Sequence, residues 1–119
     1  MNGISTYQEN VVTTQSGGRL IVLMYDGAVK FLNQAIVDLQ AGKYMEKGQN
    51  INKAADILQE LDRSLNMEVG GEMAMNLHKL CFFMIRHLHR ANFQRDPQMI
   101  RDVIKLLEDL NVAWKAVAS

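Results

Sequence analysis

The sequence predicts an all-α protein, an antiparallel four-helix bundle entered by an extended N-terminal arm. Three observations predict it. Apolar residues recur at helical spacing from residue 19 onward, no stretch alternates as a half-buried strand does, and helix-breaking residues fall about every 20 to 25 positions, at Gly42, Gly70-Gly71 and Asp96-Pro97.

Residues 1–18 are polar, rich in Thr and Gln, and end in Ser16-Gly17-Gly18, so they read as a flexible arm whose apolar points are Tyr7, Val11 and Val12. Residues 19–119 read as one helical domain. Its first helix, capped by Ser16, runs to about Ala41, where Gly42 stops it. The second covers about Met45 to Leu65, with Ile51, Ala54, Ala55, Leu58, Leu61 and Leu65 on its inner face. Gly70-Gly71 ends it, and the third runs from about Glu72 to Asn92. Asp96 caps the fourth and Pro97 occupies its first turn, where the missing N–H is not needed. Helices of about 20 residues are each about 30 Å long, and short connections make neighbours antiparallel.

Composition narrows the functions. Lys plus Arg equals Asp plus Glu at 13 each, without the basic excess a phosphate-binding surface requires, so nucleic acid is not an expected partner. The single Cys81 cannot form an internal disulfide and fits a reducing, cytoplasmic setting. The longest uncharged apolar runs, Leu20–Tyr25 and Leu80–Ile85, are too short to span a bilayer.

Catalytic and metal signatures are missing. The residues three before His78, His87 and His89 are Met75, Met84 and Arg86, so no helix carries the Glu-x-x-His of di-iron bundles. His87 and His89 point roughly 160° apart at 100° per residue, and His78 with Cys81 supplies two zinc ligands where a structural site wants four. The expectation is a non-enzyme without cofactor or metal.

What the sequence does carry is an excess of apolar surface. Stripes suited to a core are Leu20, Met24, Ala28, Phe31, Ala35 and Leu39 in helix 1; Met73, Leu77, Leu80, Met84, Leu88 and Ala91 in helix 3; and Ile100, Val103, Leu107, Leu110 and Trp114 in helix 4. Beside them run second lines at sevenfold spacing: Val22, Val29 and Ile36; Met75 and Phe82; Met99, Leu106 and Ala113. Each side chain left wet forgoes about 1.5–3 kcal/mol, so these lines predict a partner, an apolar helix laid into a groove. The eight methionines suit such a surface. The expected partner-binding residues are Val22, Val29, Ile36, Met75, Phe82, Met99 and Leu106, with Tyr7 and Val12 as a lid. Two alternatives stay open: the second lines cover one another or lie under the arm, or two copies of a self-associating adaptor cover them in a homodimer.

Specific residues sharpen this. Tyr7, Val12-Thr13-Thr14, Leu23-Met24-Tyr25-Asp26-Gly27, Phe31-Leu32, the stretch from Lys53 to Leu61, Gly70-Gly71-Glu72-Met73-Ala74-Met75-Asn76-Leu77, Ala91-Asn92 and Trp114 together closely resemble the flagellin-specific export chaperone family, FliS. The resemblance implies an antiparallel bundle that binds the disordered C-terminal region of flagellin, prevents its premature polymerisation in the cytoplasm and assists its delivery to the flagellar type III export apparatus; the expected state of the chain itself is a monomer or weak homodimer. It also implies that the tyrosine-bearing N-terminal segment, here Tyr7, is linked to the flagellin-binding surface, and it leaves room for other flagellar export or regulatory partners. Two departures stand out: Ser16-Gly17-Gly18-Arg19 replaces the family's usual Ser-Pro before helix 1, and Leu80-Cys81-Phe82-Phe83-Met84 replaces a tyrosine-rich stretch in helix 3.

Overall fold

The computed structural model describes residues 17–118. They form four helices: α1 (Gly17–Gln40), α2 (Tyr44–Arg63), α3 (Met67–Gln94) and α4 (Pro97–Ala118). The expected lid residues Tyr7 and Val12 lie outside the described residues, as does Ser16. Gly17 and Gly18, read as the end of the arm, belong to the first helix.

Each junction has a local cause. Gly42 takes a left-handed φ of 74°. Its N–H donates to Leu39 O at 3.1 Å, and that of Lys43 reaches back to Asp38 O at 2.8 Å, the paired bonds of a Schellman stop. α2 ends at Arg63, not at the glycine pair. Asn66 then caps α3, its side-chain oxygen accepting from the Val69 N–H at 3.0 Å. The pair acts inside α3: Gly71, at φ 53° and ψ −125°, kinks it after one turn. At the far end Arg95 is left-handed without being glycine (φ 54°), its guanidinium held 3.8 Å from the Tyr44 ring centroid. Asp96 Oδ1 accepts from the Gln98 N–H at 2.9 Å, and Pro97 opens α4 as the sequence predicts.

α1 contacts α2 and α4 extensively; α3 contacts the same two neighbours more sparsely and closes the square. Cross-helix pairs run in opposite senses: Asp38 with Asn50, Lys47 with Asn92, His87 with Asp102, Asp26 with Asn111. The bundle is therefore antiparallel. Its core joins Ile21, Tyr25, Leu32 and Ile36 of α1, Ile51 and Leu58 of α2, Met84 and Leu88 of α3, and Ile100, Leu107 and Trp114 of α4.

That core corrects the expected stripes. α1 buries Ile21, Tyr25, Ala28, Leu32, Ala35 and Ile36 instead of Leu20, Met24, Phe31 and Leu39, which lie at the margin, a rotation of about 60° at 100° per residue. Ile36, expected on the partner face, is 9% exposed and belongs to the core; Val22, Val29, Met99 and Leu106 are half-buried against it. The apolar arc of α1 is wide enough to fit two phases, and a helix gripped from two sides buries both flanks. As a whole, α1 is also long and apolar enough to cross a membrane by length and composition, although its uncharged runs are short. Within the bundle the same composition serves two packing contacts.

Candidate functional site

α3 is the helix whose apolar side chains outnumber its contacts. Ala74, Cys81, Met84, Leu88 and Ala91 face inward and are buried. Leu77, Leu80 and Ile85 are half-buried, and Met73, Met75, Phe82 (57% exposed), Phe83 (49%) and Phe93 (90%) are wet. The run Leu80–Ile85 is apolar on every side of the helix, so no rotation can bury all of it.

Two hollows lie along α3. The larger, about 520 Å³, is lined by Glu72, Met73, Asn76, Leu77 and Leu80 of α3 and by Leu110 of α4. Four of these, Met73, Leu77, Leu80 and Leu110, carry the sequence signal of core residues; the structure makes them the walls of a cleft. The expected stripe holds at Met84, Leu88 and Ala91, but nearer the start of α3 the buried positions are Ala74 and Cys81, which leaves Met73 exposed and Leu77 and Leu80 half-buried. The second, about 310 Å³, is lined by Lys79, Phe82, Phe83, Arg86, His87 and Arg90.

Of the expected partner-binding residues, the structure places Met75 and Phe82 on the outer side of α3 and leaves both exposed. Val22 and Val29 lie on α1, and Met99 and Leu106 on α4, all partly covered by the bundle. Phe83, Leu80 and Leu110 were legible as apolar, but periodicity assigned the latter two to the interior. Exposed Leu23 on α1 and Val112 on α4 fell outside the apolar lines that periodicity picks out.

The polar groups of the interior act as fasteners. Lys47, 4% exposed, donates from Nζ to the Asn92 carbonyl at 2.9 Å and also to Asn92 Oδ1, satisfying an otherwise open carbonyl in the last turn of α3. Burial, then the nearby Arg95 charge, lowers its pKa. Burial pushes the Cys81 thiol up to about 12, with the Asp62 charge adding to it, so it stays protonated at neutral pH and is no nucleophile. Tyr25 rises to about 12 by burial, against a smaller opposing effect of its hydrogen bond with Trp114. Among the described residues no three His, Cys, Asp or Glu side chains cluster in a way that could hold a metal ion. The arrangement offers shape, apolar area and charge.

Comparison with known proteins gives this surface a setting. A family model described as "Flagellar protein FliS" matches residues 1–119. The flagellar secretion chaperone FliS of Salmonella typhimurium is 37% identical over 122 residues, covering 98% of this chain and 90% of the relative. The corresponding chaperone of Vibrio cholerae is 33% identical over 109 residues, covering 92% and 80%, and that of Bacillus subtilis is 32% identical over 114 residues, covering 96% and 84%.

Proposed function

The chain belongs to the FliS family of flagellar proteins, and on that premise we propose that it is a non-enzymatic cytoplasmic chaperone for flagellin, binding the C-terminal segment before export. Bound to this bundle, the segment is kept from polymerising and is handed on to the flagellar type III export apparatus. The observation that carries the reading is the apolar cleft between α3 and α4, whose walls are exposed Met73 and the half-buried Leu77, Leu80 and Leu110. An amphipathic helix laid there buries them and supplies the contact α3 lacks. A disordered segment that folds as it binds loses conformational freedom, so the apolar area covered must offset that loss.

The test is copurification with intact flagellin and with flagellin lacking its C-terminal segment. Intact flagellin should be retained and the truncated form lost. The Met73→Asp/Leu80→Asp variant should keep its helicity and lose flagellin. Retention of truncated flagellin, or full retention by a folded variant, would sink the proposal. A self-associating adaptor remains the rival because α3 is exposed along its length; it requires a concentration-dependent dimer in light scattering and indifference to flagellin.

A further inference from the structure

The outer side of α3 is set apart by charge as well as by exposed rings. From Met73 to Gln94 the helix has no carboxylate, yet Lys79, Arg86 and Arg90 follow one another at spacings of seven and four, on one side of it. Elsewhere among the described residues only three cations meet acids, Arg63 with Glu60 at 3.4 Å, Lys105 with Asp109 at 2.8 Å and Lys115 with Asp26 at 3.5 Å, so what sets α3 apart is the clustering of its cations on a helix face without acids. Among the described residues no carboxylate pairs with Lys79, Arg86 or Arg90. Arg86 instead lies over the exposed Phe82 ring, 5.6 Å from its centroid. The three cations share the smaller hollow with Phe82, Phe83 and His87. Phe83 stacks on His87 with centroids 5.2 Å apart; at the α4 edge Asp102 accepts from Gln98 Nε2 at 3.0 Å, its other oxygen 3.5 Å from His87 Nε2.

Asn76 and Leu80 line the larger hollow, and Lys79 and Phe83, each three residues further on, line the smaller, so the two are neighbours on the helix surface. A helix lying along α3 therefore passes from apolar walls onto a basic, aromatic floor. Three unpaired cations in a chain of zero net charge select for carboxylates at this end. The phenyl rings between them favour a peptide with apolar side chains over a bare phosphate backbone.

We propose that the Lys79–Arg86–Arg90 hollow receives an acidic turn of the same flagellin segment whose apolar side chains fill the α3–α4 cleft. This rests on the reading above and adds to it a charge requirement on the guest. Oriented charges of this kind set register and association rate.

Calorimetric titration of the C-terminal flagellin segment into wild-type protein, Arg86→Glu/Arg90→Glu and Met73→Asp/Leu80→Asp, at low and high salt, tests it. Arg86 and Arg90 are exposed and unpaired, so their reversal leaves helicity and melting temperature in place. Reversal should weaken binding on the order of tenfold or more at low salt and flatten the salt dependence. A guest with its acidic turn changed to lysine should recover affinity for the reversed variant. Unchanged affinity and salt dependence on reversal would overturn the charge requirement while leaving the cleft reading intact. Failure of the segment to bind wild-type protein would remove the cleft reading itself. If reversal abolishes only dimerisation or binding of an RNA oligonucleotide, the hollow serves another occupant and the proposal is wrong.

Discussion

α1 and α3 face each other across the bundle and touch the same two neighbours, yet α1 is packed along both flanks and α3 is not. α1 is gripped along both flanks, so even its second apolar line is partly or wholly covered. α3 meets α2 and α4 more sparsely and leaves three phenyl rings and three methionines wet. Apolar content alone therefore does not mark a binding surface. The number of flanks that neighbours cover decides it.

The strongest way to break this comparison is truncation. Leu32→Ala in α1 removes a fully buried side chain and should cost about 2–5 kcal/mol in urea denaturation. Phe83→Ala in α3, larger in volume, should cost far less because half of its ring is already hydrated. Equal losses would contradict the contrast.

Alkaline pH sharpens the opposite point, that the inner side of α3 is as dry as that of α1. Tyr25 and Cys81 both stay protonated in the fold up to about 12, against ordinary values of 10.0 and 9.0. Because the folded pKa values are raised, the unfolded chain releases these protons first, so stability falls as pH rises from about 9 toward 12. Lys47, its pKa lowered, works the other way just below 10.5. Cys81→Ala should flatten the decline between about 9 and 10, and Tyr25→Phe above 10, in denaturation midpoints measured across that range.

A smaller effect separates the helices' glycines. Gly42→Ala strains the left-handed stop of α1 and should cost about 1 kcal/mol by thermal melting. Smallest in stability are Val37→Ser on α1 and Phe82→Ser on α3, both exposed, each expected within about 0.5 kcal/mol of wild type. Only the second should weaken flagellin capture in a pull-down.

Much of the fold was legible because its punctuation is chemical. Gly42 and Asp96-Pro97 act as the sequence suggests, and Ile51, Ala54, Ala55, Leu58 and Leu61 line α2 as predicted. Rotational phase was not legible where apolar residues run without interruption, as in Leu20–Tyr25 and Leu80–Ile85. There the neighbours choose the inward side, and Leu80 moved from presumed interior to cleft wall while Ile36 moved the other way. Buried Asp38, Lys47 and Asn111 escaped because a polar residue inside a bundle is settled by one particular partner, such as Asn50 for Asp38, which spacing does not encode. The basic floor of α3 was written in the sequence as a missing row of acids, a signal in what is absent over 22 residues of helix.

The kink at Gly71 carries one more consequence. No atom lies within 4 Å of where a Cβ would stand there, so glycine is required for its torsions and not for want of space. Reversing the signs of its φ and ψ gives angles of the well-populated polyproline region. A protein assembled by chemical ligation with d-alanine at this position should thus hold the bend that l-alanine opposes, making the entrance turn of α3 a site that reads stereochemistry.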